Sequence, residues 1–294
     1  SGARWIAASF VAANALERRG WPNRRHGALT LGTMISPSIL VTGGATRIGA
    51  GIVRGFAEDG WHVVIHYNSS AGPAQKLAAS LPSAEIVQCD LSDGEAAEAM
   101  ISDLAARLPD WRCLVNSASV FDYDDAVRLD PATAASAMQI NALSPARMAQ
   151  AFLRGATSQT TRAVVQITDM KLANPNPDFF SYTMSKHAHA ATIALLAQHY
   201  AQDESARVYG LAPGAILASH DQSEDETDVS HRLNLLGRKT GPDEIVEAAR
   251  FLATGALKSG STLYIDSGQH LLDQPRDVIY LARALEEEKA QGGV

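Results

Sequence analysis

The chain has 294 residues, of which 46% are hydrophobic and 19% charged, and its formal net charge is −7. This apolar share can bury a large core, which excludes global disorder. The acidic balance argues against a nucleic-acid-binding protein, because such proteins normally carry a basic stripe. No apolar run reaches the roughly 20 residues that cross a bilayer, and the two cysteines, Cys89 and Cys113, form no metal-like pair. We expect a reduced, cytoplasmic α/β protein with neither nucleic acid, membrane nor metal as a partner.

The first 33 residues differ in composition from the rest. They mix alanine with arginine and tryptophan, and the apolar stretch 6–16 is interrupted by Ser9 and Asn14. A targeting segment is one interpretation, but no clear small-residue cleavage site is present. We expect a non-catalytic N-terminal extension over 1–33, a catalytic domain over 34–275 and a C-terminal helical tail over 276–294. The amphipathic pattern of the tail favours packing or subunit contact over catalysis.

From residue 38 onward, short apolar runs alternate with longer helical patterns. The runs are nearly continuous in Val, Ile and Leu, which is typical of parallel strands covered on both faces. The predicted strands are 38–41, 62–66, 85–88, 113–115, 163–167, 207–211 and 262–265. The alternation predicts an α/β fold with a single doubly wound parallel sheet of the Rossmann type and helices on both faces.

Local signals mark helix starts and one unusual loop. Ser92-Asp-Gly-Glu95 matches a capping box, and Asp130-Pro131 places a capping residue before a proline at the first helical position. Residues 218–237 are predicted to form a loop that contains an acidic tract over 221–228. Such a tract is usually a solvated surface, and its place near the carboxyl end of a strand also suggests a mobile lid on a cleft.

A glycine-rich turn follows the first strand and opens a helix. In Gly43-Gly44-Ala45-Thr46-Arg47-Ile48-Gly49, glycine lets the backbone approach a pyrophosphate, and the helix amino end supplies N–H donors and a positive dipole. The alternative is a tight turn that merely needs glycine. The strand–turn–helix context favours a dinucleotide site that includes Gly43, Arg47, Ile48 and Gly49.

The residues after the second strand indicate which dinucleotide is bound. An acidic side chain there usually holds the ribose hydroxyls of NAD, and His66-Tyr67-Asn68-Ser69 contains none. Arg47 could meet a 2′-phosphate, and the polar groups after the strand could donate hydrogen bonds to it. NADPH is therefore the expected cofactor.

Two further strand ends are candidates for contacts with this cofactor. Asp90, followed by Leu91, could accept from an adenine amino group, or it could simply begin the next helix. Asn116-Ser117-Ala118-Ser119 follows the fourth strand with small polar side chains, which would let the cofactor lie close over the sheet edge.

Four polar residues in the middle of the chain form a candidate catalytic set. Tyr182 and Lys186 lie four residues apart and share one helix face. A lysine ammonium near a phenol favours the phenolate, which lowers the phenol pKa so that it can pass a proton near neutral pH. Asp169 follows the fifth strand, and Asn141 lies inside a predicted helix, where it is either functional or a satisfied core amide.

With these residues in order behind the glycine turn, the chain resembles the short-chain dehydrogenase/reductase family over residues 38–270. The matching elements are Thr42-Gly43…Gly49, Asp90, Asn116-Ser-Ala-Ser119, Asn141, Tyr182-x-x-x-Lys186 and Pro213-Gly214. The resemblance implies that the tyrosine is the acid/base and that the lysine holds the ribose and tunes the tyrosine. It also implies that the asparagine stabilises a proton-relay water and that Pro213-Gly214 lies beside the nicotinamide.

Departures from the family pattern narrow this resemblance. Asp169 stands where most members carry serine, and an ionised carboxylate would repel the oxyanion that develops in ketone reduction. Arg47 replaces the middle glycine of the turn, and Ser117 replaces a second asparagine. Together with Phe121, Asp169 and Arg47 resemble the pteridine reductase branch, in which NADPH delivers hydride to a pterin C=N bond.

The branch resemblance implies a substrate site. In it, Asp169 and Tyr182 handle protons, Phe121 stacks on the pterin, and Arg47 faces both the cofactor phosphate and the substrate, with Ser119 nearby. Phe121 could instead be an ordinary core residue.

The expected function is NADPH-dependent reduction of a dihydropterin of the dihydrofolate, dihydrobiopterin or dihydromonapterin class. Family habit implies a homotetramer. Two alternatives remain open: a reductase of simple carbonyls that tolerates the aspartate, and a non-catalytic NADP(H)-binding protein. The intact Tyr182–Lys186 pair counts against the second alternative.

Overall fold

Seven parallel strands form one sheet in the computed structural model, which describes residues 35–219 and 222–292. The strands are β1 (Ser38–Val41), β2 (His62–Tyr67), β3 (Ala84–Gln88), β4 (Trp111–Asn116), β5 (Arg162–Ile167), β6 (Ala206–Pro213) and β7 (Thr262–Ile265). Their order across the sheet is β3-β2-β1-β4-β5-β6-β7. The predicted strands are confirmed, with ends that differ by at most two residues. The predicted extension over 1–33 lies outside the described residues.

Helices cover both faces of this sheet. They are α1 (Arg47–Glu58), α2 (Ala71–Ala79), α3 (Gly94–Arg107), α4 (Pro131–Met138), α5 (Ser144–Gly155), α6 (Phe180–His199), α7 (Glu224–Ser230), α8 (Pro242–Ala253) and α9 (Val278–Gly292). Successive residues of β1 point to opposite faces: Ile39 and Val41 pack in a core with α1, α2 and α8, whereas Leu40 packs with α3, α5 and α6. This two-sided burial explains the continuous apolar strands and confirms the doubly wound fold. Among the helices described here, none has the length and apolar character needed to cross a bilayer.

Strand order reverses beside β1, which lies between β2 and β4. In open sheets of this kind, ligands bind at the carboxyl ends of the strands next to such a reversal. The glycine turn after β1 and the polar segment after β4 meet there, so the topology gathers residues that are far apart in the chain.

Two local predictions need correction. Asp93, not Ser92, caps α3, because its carboxylate accepts the backbone N–H groups of Glu95 and Ala96. Residues 224–228 of the acidic tract are helical and not irregular, since a capping box between Ser223 and Glu226 starts α7 there. The cap at the start of α4 is confirmed: Asp130 accepts the N–H group of Thr133.

Candidate functional site

A cavity of about 650 Å³ opens at the carboxyl edge of the sheet, beside the strand reversal. It is bordered by the turn after β1, the ends of β5 and β6, the segment after β4 and the start of α9. The predicted site residues that line it are Gly43, Arg47, Ile48, Gly49, Ser117, Ala118, Ser119, Phe121, Asp169, Tyr182, Lys186, Pro213 and Gly214. The predicted site residues outside this lining are His66, Tyr67, Asn68, Ser69, Asp90, Leu91, Asn116 and Asn141.

One end of the cavity has the donors that a phosphate group needs. The first helical hydrogen bond of α1 runs from the N–H group of Ala50 to the carbonyl of Thr46. The N–H groups of Arg47, Ile48 and Gly49 therefore have no partner within the helix, and all three residues line the cavity. Free N–H groups and the positive end of the helix dipole form an anion site. This end of the cavity thus fits the pyrophosphate of a dinucleotide.

Arg47 holds a strained position in this turn. Its φ angle is +53°, in the left-handed region that costs a side-chain-bearing residue about 1–2 kcal/mol. Its Nη2 donates to the carbonyl of Ala218 at 2.8 Å, so the guanidinium joins the turn to the segment that leads to α7. Strain of this kind is concentrated at functional sites, and here it places a cation at the cavity.

The structure places His66 behind the glycine turn. The ring is 2% exposed, its Nδ1 accepts the N–H group of Gly43 at 3.1 Å, and its Nε2 lies 3.0 Å from the carbonyl of Cys89. Burial lowers the pKa of His66 to about 4, so the ring is neutral and Nε2 carries the proton. Both nitrogens are occupied, which corrects the prediction of a direct cofactor contact. His66 instead fixes the backbone of Gly43.

Other predicted cofactor ligands have structural partners. The Asp90 carboxylate accepts the N–H group of Ser92, which lowers the pKa of Asp90 and forms a turn just before the Asp93 cap of α3. Leu91 is buried in the core, and its carbonyl accepts from the Ser144 hydroxyl. Asn116 is 2% exposed and donates to Gln166. The remaining predicted ligands outside the cavity, at the end of β2, are Tyr67, Asn68 and Ser69.

Asn141 lies in a short π-helix, Gln139–Leu143, between α4 and α5. Its Oδ1 accepts the N–H group of Val120 at 2.9 Å, and its Nδ2 donates to the Val120 carbonyl and the Ser185 hydroxyl, each at 3.0 Å. The amide is therefore committed to holding the segment after β4 against α6. The side chain is a satisfied core amide that acts as a positioning group, and its predicted role towards a proton-relay water stays a prediction.

The reactive centre is a hydrogen-bonded carboxylate–phenol pair. Tyr182 donates from Oη to Oδ2 of Asp169 at 2.6 Å, and Oδ1 of Asp169 accepts the N–H group of Lys171 at 2.9 Å. Lys186 donates from Nζ to the carbonyl of Ile167 at 2.9 Å, and this Nζ is 5.5 Å from the centroid of the Tyr182 ring. The lysine thus faces the backbone, and the aspartate is the direct partner of the phenol.

This arrangement reverses one sequence expectation. Burial, together with the negative charge of Asp169, raises the pKa of Tyr182 well above its ordinary value, so Lys186 does not make this group a phenolate. Burial also raises the pKa of Asp169, although the nearby charge of Lys171 opposes the shift, and burial lowers the pKa of Lys186 to about 8. The Tyr182 phenol is therefore protonated and can act as a proton donor, and burial favours a proton on Asp169 as well.

Replacing Asp169 with asparagine is expected to stabilise the fold at neutral pH. Because burial raises its pKa, the folded protein holds the Asp169 proton more tightly than the unfolded chain does. Stability is therefore lost as pH rises from the ordinary aspartate pKa of about 3.9 through the raised value. Urea unfolding should show Asp169→Asn more stable than wild type above that window, with no gain below it. The same gain at every pH, or in the exposed control Asp273→Asn, would contradict this explanation.

Phe121 packs against neighbouring rings and also borders the cavity, while its predicted stacking on a pterin stays a prediction. Its ring lines the cavity, stacks on Phe179 with centroids 4.0 Å apart, and meets the edge of Tyr182 at 4.6 Å. One face is covered by Phe179, so at most the other face is available to a planar ligand. Phe179 itself has a φ angle of +54°, a second strained residue beside the site.

The sequence interpretation missed the contribution of the C-terminal tail. Asp277, Val278 and Ile279 line the cavity, which the amphipathic pattern of the tail did not indicate. The buried Lys171 also lines the cavity. The available signals were weak: a lysine two residues after Asp169, and an aspartate before the apolar start of a terminal helix. No group of His, Cys, Asp or Glu within 35–219 and 222–292 could hold a metal ion.

Comparisons with known proteins place this site among oxidoreductases. The family model described as enoyl-(acyl carrier protein) reductase matches residues 43–270. Pteridine reductase 1 of Leishmania tarentolae is 28% identical over 281 residues, covering 80% of the chain and 97% of that protein. Galactitol 2-dehydrogenase (L-tagatose-forming) of Cereibacter sphaeroides is 33% identical over 240 residues, covering 78% and 92%.

A solved structure shares the fold over a similar length. FolM alternative dihydrofolate reductase 1 from Brucella canis, complexed with NADP, matches with a TM-score of 0.76 and 30% sequence identity. The match covers 83% of the chain and 97% of that protein chain. The relatives differ in substrate, so the substrate has to be argued from the site.

Proposed function

The chain belongs to the short-chain dehydrogenase/reductase family, and on that premise we propose that it uses NADPH to reduce a ring C=N bond of a dihydropterin. One observation carries this proposal: the 2.6 Å hydrogen bond between the Tyr182 phenol and the Asp169 carboxylate, inside the cavity. The pair can supply a proton to an imine nitrogen. Dihydrofolate, dihydrobiopterin and dihydromonapterin all belong to this substrate class.

The chain's own residues favour NADPH as the cofactor. The N–H groups at the start of α1 would hold the pyrophosphate, Lys186 the ribose, and Pro213-Gly214 would lie beside the nicotinamide. Arg47 supplies a cation for a 2′-phosphate, and the segment after β2 has no carboxylate to hold a free ribose hydroxyl. The relative from Brucella canis, which is complexed with NADP, supports this assignment. When bound, NADPH supplies the hydride.

Proton transfer explains why an aspartate is useful here. As a ring carbon gains hydride, the neighbouring nitrogen must gain a proton, and Tyr182 is placed to donate it from Oη. A tyrosinate left beside an ionised Asp169 would be unfavourable, because like charges repel. If Asp169 is protonated, its proton passes to the phenol oxygen as the phenol proton leaves, and the negative charge ends on the carboxylate. The raised pKa of Asp169 favours this protonated state.

Ketone reduction is a poorer match to the same geometry. In that reaction the substrate oxygen becomes negatively charged and needs donors around it. The Asp169 carboxyl accepts from the Tyr182 phenol where most family members carry a serine donor, and once it has given up its proton its charge would repel the developing oxyanion. The site therefore supports a substrate whose acceptor atom is a ring nitrogen.

A panel of dihydropterins and ketones assayed with NADPH and NADH tests the proposal. We expect oxidation of NADPH with at least one dihydropterin, weaker activity with NADH, and loss of pterin reduction in Asp169→Ser. Ketone reduction that improves in Asp169→Ser, with no pterin activity in wild type, would support a carbonyl reductase instead. Cofactor binding without turnover on either panel would indicate a non-catalytic binding protein.

A further inference from the structure

A buried ion pair joins the segment after β5 to the C-terminal tail. Lys171 is 4% exposed and Asp277 7% exposed, and Nζ of Lys171 lies 2.8 Å from Oδ2 of Asp277. The same ammonium donates to Oδ1 of Asn176 at 3.3 Å and to the carbonyl of Asp178 at 3.2 Å. A charge this buried is tolerated only when it is paired and hydrogen-bonded, and Lys171 has three acceptors.

The backbone of Lys171 contacts the reactive centre directly, and the charges of both members of the pair act on it. The backbone N–H group of Lys171 donates to the Asp169 carboxylate, and the lysine charge opposes the upward shift of the Asp169 pKa. From the other side, the charge of Asp277 contributes to the raised pKa of Tyr182. Within the carboxylate–phenol centre, the charge of Lys171 therefore acts to lower a pKa and the charge of Asp277 acts to raise one.

Asp277 is held in place by Asp178 and by the start of α9. The Asp277 N–H group donates to Oδ2 of Asp178 at 2.8 Å, and Arg276 donates from Nε to both carboxylate oxygens of Asp178. Oδ1 of Asp277 accepts the N–H group of Ile279 at 3.1 Å, which starts α9. Its other oxygen, Oδ2, faces Lys171.

We propose that Lys171 and Asp277 form a positioning pair that holds the Asp169–Tyr182 centre and balances its charge, so that the first turn of the C-terminal tail belongs to the active site. This inference rests on the proposed function for its activity test. Neither residue is proposed to touch the reacting atoms; each acts through Asp169 or Tyr182.

The expected pH behaviour follows from the sign of each charge. Pterin reduction needs the proton of the Asp169–Tyr182 centre, so activity falls as pH rises and that proton is lost. Removing the lysine charge makes the centre hold its proton more tightly, and removing the Asp277 charge makes it release the proton more easily. The ionisable groups around the Asp169–Tyr182 centre are Lys171, Lys186, His187, Asp178, Arg276 and Asp277, with Arg47, Asp122 and His231 lining the same cavity.

The experiment compares the pH profiles of Lys171→Met, Asp277→Asn and the double variant. We expect the alkaline fall in kcat to move up by about one pH unit in Lys171→Met and down by a similar amount in Asp277→Asn. In the double variant both charges are gone, so the profile returns towards that of wild type. The double variant also removes the unpaired buried charge, and so tests the inference even if a single variant folds poorly.

A second readout does not depend on turnover. In protein labelled with carboxyl-¹³C aspartate, the Asp169 resonance is assigned by its loss in Asp169→Asn. Its titration midpoint should rise in Lys171→Met and fall in Asp277→Asn, as the kcat profile does. A matched control is the partly buried pair Arg162–Asp203, which lies at the amino ends of β5 and β6, opposite the cavity. Arg162→Met and Asp203→Asn should lower stability without moving either titration.

The outcomes separate this inference from the proposed function. The positioning role would be overturned if the two single variants shifted the pH profile in the same direction. It would also be overturned if activity were lost while the pH profile and the Asp169 titration stayed unmoved, which would leave only a structural role. If wild type reduces no pterin, the proposed function fails, and the ¹³C titration alone decides whether the pair acts on Asp169.

Discussion

Tyr182→Phe is expected to lower kcat for pterin reduction by about 10²–10⁴-fold, the range typical of a lost general acid. The substitution removes the one oxygen that donates to Asp169 at 2.6 Å inside the cavity. It leaves the aromatic packing against Phe121 in place, so NADPH binding should stay near its wild-type strength. Steady-state kinetics with a dihydropterin, together with NADPH titration by fluorescence, measures both effects.

The control for this substitution is the tyrosine at the end of the same helix. Tyr200 follows the last turn of α6, away from the cavity, and Tyr200→Phe removes an equivalent hydroxyl. It should leave kcat unchanged. If Tyr182→Phe retained turnover within about tenfold of wild type, the role assigned to the phenol would be wrong.

Gly49→Ala is expected to abolish NADPH binding and to destabilise the fold by about 1–3 kcal/mol. A Cβ atom at this position would lie 2.3 Å from the carbonyl oxygen of Gly43 and 2.9 Å from its carbonyl carbon. Both atoms belong to the backbone of the turn, so the clash can be relieved only by opening the phosphate site. Thermal unfolding and NADPH titration measure the two effects.

Gly51→Ala provides a matched control two residues along the same helix. There the new Cβ would meet only the Val246 side chain, at an ordinary 3.5 Å. Alanine is favoured over glycine inside a helix by about 0.5–1 kcal/mol, so this variant should be at least as stable as wild type and should bind NADPH normally. Equal behaviour of the two variants would show that the turn is not the cofactor site.

Raised pKa values at the centre connect stability and activity. Ionising the Asp169 carboxyl is unfavourable in the folded protein, and the same raised pKa keeps on it the proton that the proposed reaction passes to Tyr182. Asp169→Asn should therefore be a more stable and less active protein at neutral pH. Strain at Arg47 and Phe179 belongs to the same pattern, because both residues take left-handed backbone angles beside the cavity.

Features that depend on neighbours in the chain were visible in the amino-acid order alone. Alternating apolar runs and helical periods predict the doubly wound sheet, because each strand must be apolar on both faces. The glycine turn and the Tyr182–Lys186 spacing are likewise local, and together with Asp169 and Asn141 they indicate the family. The order of residues along a strand or helix is enough to place such groups on one face or at one edge.

Contacts between distant segments were decided only by the folded chain. Only the atoms within about 3 Å show that His66 supports Gly43. The same holds for the Asn141 side chain, which joins the segment after β4 to α6. The pairing of Lys171 with Asp277 joins residues from two segments that no periodicity relates. The direction of the Tyr182 pKa shift is of the same kind, since burial and the nearest charge determine it, and both arise only when the strands and the C-terminal tail pack together.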